Sequence, residues 1–204
     1  YKISQKLAQM LNKIFLEVII ANGFDKKALK ILKLKKNVRL IDSSKITFND
    51  IWKFNSVDNF TLIQSEDRKI FSKKDFRIVS KKKPNKSQLD NLMFAFNVSR
   101  YTKSNAIVLA NNKSTIGIGS GQPSRLDSCE IAINKMNKFS KIKNDIVAAS
   151  DAFFPFVDGV EKLVQSGVSA IVQPAGSIRD KEIIKFANET NTVLIFSKTR
   201  HFRH

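Results

Sequence analysis

Apolar residues at Ile3, Leu7, Met10 and Leu11 recur with helical spacing and run into Phe15–Ile20, an apolar stretch of strand length. The pattern predicts a helix followed by a buried strand. Asn22-Gly23 reads as a turn, Asp25 as the cap of a helix carrying Ala28, Leu29, Ile31 and Leu32, and Val38 to Ile41 as the next strand. The first part is therefore an α/β layer unit. Ile51 to Phe54 and Phe60 to Ile63, separated by Ser56-Val57-Asp58-Asn59, predict a hairpin, and Phe76 to Val79 a further strand. The run Lys81-Lys82-Lys83-Pro84-Asn85 joins a charge cluster to a helix breaker. It predicts a boundary, with residues 1–80 closing one lobe and its connecting hairpin and residues 81–204 forming a second lobe. In that second lobe Ser87 is the predicted cap of a helix through Leu89, Leu92, Met93 and Phe96. Strands follow at Ala106 to Ala110 and Thr115 to Ile118, around the turn Asn111-Asn112-Lys113. Next come a helix from Arg125 to Met136, a strand from Ile146 to Ala149, and two closing alternations: helix Val160 to Val164, strand Val168 to Val172, helix Glu182 to Ala187, strand Val193 to Phe196. Strands alternating with helices predict a three-layer α/β/α sandwich with a mixed sheet.

Composition narrows the function classes. With 42% hydrophobic and 26% charged residues, the 204-residue chain can bury a core, which excludes whole-chain disorder. The apolar runs fall short of the ~20 residues of a membrane helix, so no membrane partner is expected. The lone Cys129 excludes an internal disulfide and a zinc site with two thiolates from this chain, so no metal is expected and the composition reads as cytoplasmic. The chain opens on Tyr1 rather than Met and reads as clipped.

Charge adds one open question. Lys and Arg number 36 against 18 Asp and Glu, a formal net charge of +18. Such a balance invites a nucleic-acid reading, since clustered cations release counterions from phosphates. The excess, however, is mostly lysine spread over nearly every segment, together with abundant Asn, Ile and Phe. That pattern suits codon drift on solvated faces better than a dedicated nucleic-acid surface.

Four segments could carry chemistry. In Gly117-Ile118-Gly119-Ser120-Gly121-Gln122-Pro123-Ser124-Arg125, alternate glycines precede a helix start next to an arginine. Either an anion docks on the free amides or the strand packs closely on the helix. Ser150-Asp151-Ala152-Phe153-Phe154-Pro155-Phe156 places three phenylalanines around a proline just after a buried strand, and they cannot all face one side of a core. At least one ring is a platform for a planar ligand. Asp158 opens the next helix, and Gln173-Pro174-Ala175-Gly176-Ser177-Ile178 sits at the next strand's C-terminal end, the edge where ligands collect in open α/β sheets. The only histidines, His201 and His204, lie in the terminal Arg200-His201-Phe202-Arg203-His204, which is either a frayed tail or a docked, anion-binding end.

Lys103-Ser104-Asn105-Ala106, the glycine run ending at Arg125, Ser150 to Phe156 and the Arg200 to His204 ending resemble, in order, the transformylase domain of the bifunctional AICAR transformylase/IMP cyclohydrolase family of purine biosynthesis. The likeness continues upstream through Glu17-Val18-Ile19-Ile20-Ala21 and Lys35-Lys36-Asn37-Val38-Arg39-Leu40, and so covers essentially the whole chain. The resemblance implies formyl transfer from 10-formyltetrahydrofolate to the 5-amine of 5-aminoimidazole-4-carboxamide ribonucleotide (AICAR). It also implies lobes resembling cytidine deaminase and active sites at a homodimer interface. By the same resemblance Asn105, Phe153 and Arg200 match positions that contact the ribonucleotide. Arg125, Leu126, Asp158, Ser177 and Ile178 match positions around the folate, and His204 matches a terminal histidine near the reaction centre. On this reading the Asn105 amide orients the reacting amine or donates to the tetrahedral oxyanion, and Asn105 and His204 are the catalytic candidates.

Three departures from the family pattern stand out. No Lys-His dipeptide, the family's principal proton-transfer pair, occurs in the chain, and the cyclohydrolase domain is missing. The chain therefore reads as the C-terminal part of a longer enzyme, inactive by itself. Val157 stands where the family usually carries Arg. Two rivals are weaker. A zinc deaminase needs His-x-Glu with Pro-Cys-x-x-Cys, which Cys129 cannot provide. A basic nucleic-acid-binding module calls for aromatics interleaved with cations, and the segment of Phe153, Phe154 and Phe156 has no basic residue.

Overall fold

Ser4 starts the first helix by accepting a hydrogen bond from the Leu7 amide, and helix α1 (Gln5–Leu11) leads to strand β1 (Val18–Ala21). The computed structural model describes residues 1–47, 52–67, 69, 71–141 and 144–204. These form two compact units, Tyr1–Glu66 and Asp67–His204.

In the first unit, helix α2 (Lys26–Leu32) connects β1 to a parallel strand β2 (Arg39–Asp42), and Ile3, Ala8, Ile19, Ala21, Ala28 and Leu32 form its core. The apolar run predicted as a strand from Phe15 shortens to Val18–Ala21, and only Ile19 and Ala21 are buried while Val18 and Ile20 face outward. A two-stranded sheet has one covered face, which explains the alternation. Asp25 occupies the N-cap position of α2, but its carboxylate pairs with Lys2 at 3.0 Å and makes no side-chain capping bond. The hairpin consists of β3 (Trp52–Val57) and β4 (Phe60–Ser65); predicted Ile51 lies outside the described residues. Val57 pairs with Phe60, so the turn is Asp58-Asn59 alone, with Asp58 at φ +48°. That left-handed position suits Asp or Asn, whereas Ser56 and Val57 fit the extended ladder.

The second unit is built on a mixed six-stranded sheet. Its strands are β5 (Phe76–Ile78), β6 (Ile107–Asn111), β7 (Ser114–Gly119), β8 (Ile146–Ser150), β9 (Val168–Pro174) and β10 (Val193–Ser197), in the order β5-β10-β9-β8-β6-β7. Strands β8, β9 and β10 are mutually parallel, and β5, β6 and β7 run antiparallel to their neighbours. Helix α3 (Lys86–Ser99) covers one face with Leu92, Ala95 and Phe96 against Val108, Val147, Val172 and Ile195. Helices α4 (Arg125–Phe139), α5 (Asp158–Gln165) and α6 (Asp180–Glu189) cover the other with Ala132, Leu163 and Ile183 against Ile107, Leu109, Ile171 and Leu194. Neighbouring residues of β6 alternate between the two cores, as strand geometry demands. The result is the predicted three-layer α/β/α sandwich.

Two local assignments change. The cap of α3 is Asn85, which closes a reciprocal capping box with Gln88, rather than Ser87. Asn caps as well as Ser, and only Asn85 has a Gln three residues on. Strand β5 pairs antiparallel with β10, and Phe71 packs in the core beneath α3, so residues 67–80 are joined to the second unit ahead of the lysine run. No helix among the described residues is long and apolar enough to cross a membrane.

Candidate active site

The site grows from the start of β6, the start of α4 and the segments that follow β8 and β10. The glycines of β7 explain themselves first. A Cβ on Gly117 would lie 2.1 Å from the Ala132 carbonyl oxygen, and one on Gly119 only 1.8 Å from that of Ser128. Both glycines therefore serve the close approach of β7 to α4. The start of α4 is capped internally, Ser124 Oγ accepting from the Asp127 amide at 3.0 Å. Of the two readings of the glycine run, the geometry supports close packing.

Arg125, the first residue of α4, is 8% exposed and points into a buried polar network. Its guanidinium pairs with Asp151, a fully buried carboxylate, and donates to Ser150 Oγ at 2.9 Å and to Asn105 Oδ1 at 2.9 Å. Asn105 Nδ2 in turn donates to the carbonyls of Gln122 (2.9 Å) and Pro123 (3.1 Å), while the Asn105 carbonyl accepts from Ser128 Oγ at 2.8 Å. The amide cannot be flipped without turning its oxygen on two carbonyls. Both of its donors are thus committed within the chain, and the oxyanion-donor role expected for Asn105 finds no free N–H. Ser104 Oγ donates to the second oxygen of Asp151. A buried charge needs a partner and filled hydrogen-bond sites, and Arg125 and Asp151 satisfy one another.

Beside this network lies a cavity of about 490 Å³, within the size range of small-molecule sites. Asn105, Arg125, Leu126, Phe153, Asp158 and Arg200 all line it, so six of the sequence-predicted residues converge. Phe154, Phe156 and Phe202 complete its aromatic wall. Phe154 is buried by way of Gly159, where a Cβ would come within 2.8 Å of its ring, and Phe156 is half exposed. The Arg200 guanidinium stands 4.8 Å from the Phe153 ring centre, and that of Arg179 stands 4.9 Å from Phe156. The aromatic segment lacks cations in sequence, yet the fold supplies two from elsewhere. Arg200 fits against the next loop because Gly176, at φ +112°, has no Cβ; one would lie 2.9 Å from its Nη2.

Three predicted residues stand apart from the cavity lining. Ser177 is engaged in a local turn, its amide facing Asp180 and its hydroxyl accepting from the Arg179 amide. Ile178 is fully exposed, and His204 is exposed with its ring stacked 5.6 Å from Phe202. Asp158 begins α5 and accepts from the Gly159 amide at 2.7 Å. Cys129 is buried in the core, and burial pushes its thiol up to about 12, which makes it inert.

Sequence reasoning passed over Asp151 and His201. Asp151 has no local signal, because its partner Arg125 lies 26 residues away. His201 is 1% exposed, with Nδ1 paired to Asp67 and the ring between Phe71 and Phe96, so the tail is docked rather than frayed. Its neighbours Phe71 and Phe96 are 130 and 105 positions upstream by number, and nothing in the tail itself announces them.

Comparison with known proteins gives one answer. The family model described as AICARFT/IMPCHase bienzyme matches residues 1–135. The chain is 43% identical over 204 residues to the bifunctional purine biosynthesis protein PurH of Caldicellulosiruptor saccharolyticus, covering 100% of this chain and 39% of the relative. It is 44% identical to that of Lactobacillus acidophilus (100% and 40%) and 41% identical to that of Aquifex aeolicus (100% and 39%). The chain thus spans about two-fifths of the length of the relatives it matches, and those alignments run through the cavity residues beyond position 135. With a family model over residues 1–135 and relatives aligned over its whole length, the chain belongs to the AICARFT/IMPCHase bienzyme family.

Proposed function

We propose that this chain is the C-terminal part of an AICAR formyltransferase, cytoplasmic and homodimeric through its transformylase domain, in a protein that is also an IMP cyclohydrolase. The observation that carries the reading is the cavity where Phe153, with Arg200 over its ring, meets the Asn105–Arg125–Asp151 network. A flat aminoimidazole carboxamide suits an aromatic face, and an arginine fork suits an anionic or carbonyl group beside it. The cytidine-deaminase-like character of the lobe belongs to the same proposal, with the second lobe taken to open at Asp67 rather than after residue 80.

In the reaction the AICAR amine attacks the formyl carbon of 10-formyltetrahydrofolate, the folate N10–carbon bond breaks, and a proton passes from the amine to N10. The amine is conjugated with its ring and is a weak nucleophile, so positioning and proton acceptance dominate the barrier. The chain's own contribution is mainly positioning. Phe153 and Arg200 hold the ribonucleotide, and Asn105 holds Arg125 at the cavity wall rather than offering a free donor. Leu126 and Asp158 on the cavity wall, with Arg125, Ser177 and Ile178, are proposed for the folate side. His204, stacked on Phe202, is the proposed terminal histidine near the reaction centre, and the principal proton-transfer pair belongs to a part of the protein outside this chain.

The test is steady-state kinetics on the full-length protein. Arg200→Ala is expected to raise the AICAR KM by about 10-fold or more, the scale of a lost charge-assisted contact. An unchanged AICAR KM rejects the reading.

A further inference from the structure

After β10 the last residues carry two cavity-lining side chains, Arg200 and Phe202, and between them His201 turns into the core. Its ring lies 4.9 Å from Phe71 and 4.6 Å from Phe96, edge-on to the first and tilted against the second. Nδ1 pairs with the Asp67 carboxylate, and the His201 amide donates to the Asp151 carbonyl at 2.8 Å. Flanking bonds continue the seam. Lys69 Nζ donates to Thr199 Oγ1 at 2.6 Å, the Ser104 amide donates to the Arg203 carbonyl at 3.0 Å, and the Arg203 guanidinium donates to the Tyr101 carbonyl at 2.6 Å.

We infer that His201, held by Asp67, is a positioning residue that presents Arg200 and Phe202 to the cavity. The inference rests on the formyl-transfer reading above for what Arg200 then does. Neither His201 nor Asp67 lines the cavity, so both act through their neighbours. The logic is one of satisfaction. With the ring buried, the Nδ1–H has Asp67 as its acceptor, and Nε2 has no partner among the described residues. Removing the Asp67 carboxylate leaves a buried ring with neither nitrogen satisfied, which favours release of the tail. A displacement of about 1 Å at a positioning group is enough to cost up to ~10²-fold in rate.

Protonation acts in the same direction. Burial lowers the His201 pKa from 6.5, opposed by Asp67 and Asp151 and aided by Arg100; Lys69, whose ammonium lies 5.4 Å from the Phe71 ring, also faces the pocket around it. The docked tail therefore binds fewer protons than the released tail, whose histidine titrates near 6.5. This contribution to docking is full above that pH and weakens as pH falls below it.

The experiment uses the full-length protein, with hydrogen-exchange protection of residues 199–204 and AICAR kinetics measured in parallel. Asp67→Ala is expected to lower tail protection at least 10-fold and raise the AICAR KM about 10-fold. Asp67→Asn keeps an acceptor and should recover KM to within about threefold of wild type. In an Arg200→Ala background, Asp67→Ala should change KM less than twofold, because it acts through the missing arginine. Tail protection of the wild type should fall below pH 6.5, and that fall should vanish in His201→Phe, which keeps the ring and loses the titration. His201→Ala alone is a poor test because it opens the core. Unchanged tail protection in Asp67→Ala, or additive effects with Arg200→Ala, overturns the inference. If Arg200→Ala leaves AICAR kinetics untouched, the formyl-transfer reading fails, and tail protection still decides the anchoring role.

Discussion

At the level of single residues, Asn105 shows how a side chain with the right chemistry can be spent before it reaches a substrate. Its two N–H groups go to the Gln122 and Pro123 carbonyls and its oxygen to Arg125. Asn105→Ala is therefore expected to destabilise the protein by about 1–3 kcal/mol, since the buried arginine loses an acceptor and two carbonyls lose a donor. Asn105→Asp should be worse for stability, because a carboxylate would face those two carbonyl oxygens. Thermal melts of both variants beside kcat measure the balance. A loss of kcat with melting unchanged would restore a direct catalytic role. What the sequence made legible here was residue type and neighbourhood: Asn105, Arg125, Phe153 and Arg200, singled out by their motifs, all line one cavity. What it hid was partnership. Arg125 finds Asp151 across 26 positions and His201 finds Asp67 across 134, and no local period encodes either pair.

Elements were legible wherever one periodicity dominated. The buried strands of the second unit show all five residues of β6, β8 and β10 enclosed, which is why short continuous apolar runs marked them. Turn chemistry was less legible, since Asp58-Asn59 makes a turn by itself and Ser56-Val57 extends the ladder. The glycine run was ambiguous for a physical reason: a bare backbone serves anion binding and close packing equally well until the partner is known. Its partner is α4. Gly119→Ala would drive a methyl into the Ser128 carbonyl, and a backbone atom cannot swing aside. The helix must shift, and Ser128 Oγ would carry the displacement to the Asn105 carbonyl. Overpacking of this kind costs about 3 kcal/mol, a fall in Tm of about 10 °C for a chain of this size. Calorimetry on the variant checks it; a shift under 1 °C would mean that α4 yields freely.

Over the whole molecule the excess of 36 cations over 18 anions has a consequence independent of any site. Among the described residues, apart from the Arg125–Asp151 and His201–Asp67 pairs, the ion pairs face solvent at least in part: Lys2–Asp25, Lys69–Asp75, Lys73–Asp90, Lys162–Glu130, Arg179–Glu182 and Lys185–Glu189. Each is weak, because water competes for both charges, and salt weakens it further. Against these stands the mutual repulsion of 18 unbalanced positive charges at short separations on a small surface. Salt weakens that repulsion too, as the Debye length shrinks from ~30 Å at 0.01 M to ~10 Å at 0.1 M. Because, among the described residues, lysines outside an ion pair outnumber those in one, repulsion should dominate and screening should stabilise the fold. Raising sodium chloride from 0.01 to 0.3 M at pH 7.5 is expected to raise Tm by about 3–6 °C, corresponding to roughly 1–2 kcal/mol. Chloride is preferred to sulfate for this measurement, since sulfate stabilises by exclusion as well as by screening. A flat or falling Tm would show that the few surface pairs outweigh the many solitary lysines. The +18 charge would then be arranged locally into compensating patches rather than spread as drift across the solvated faces.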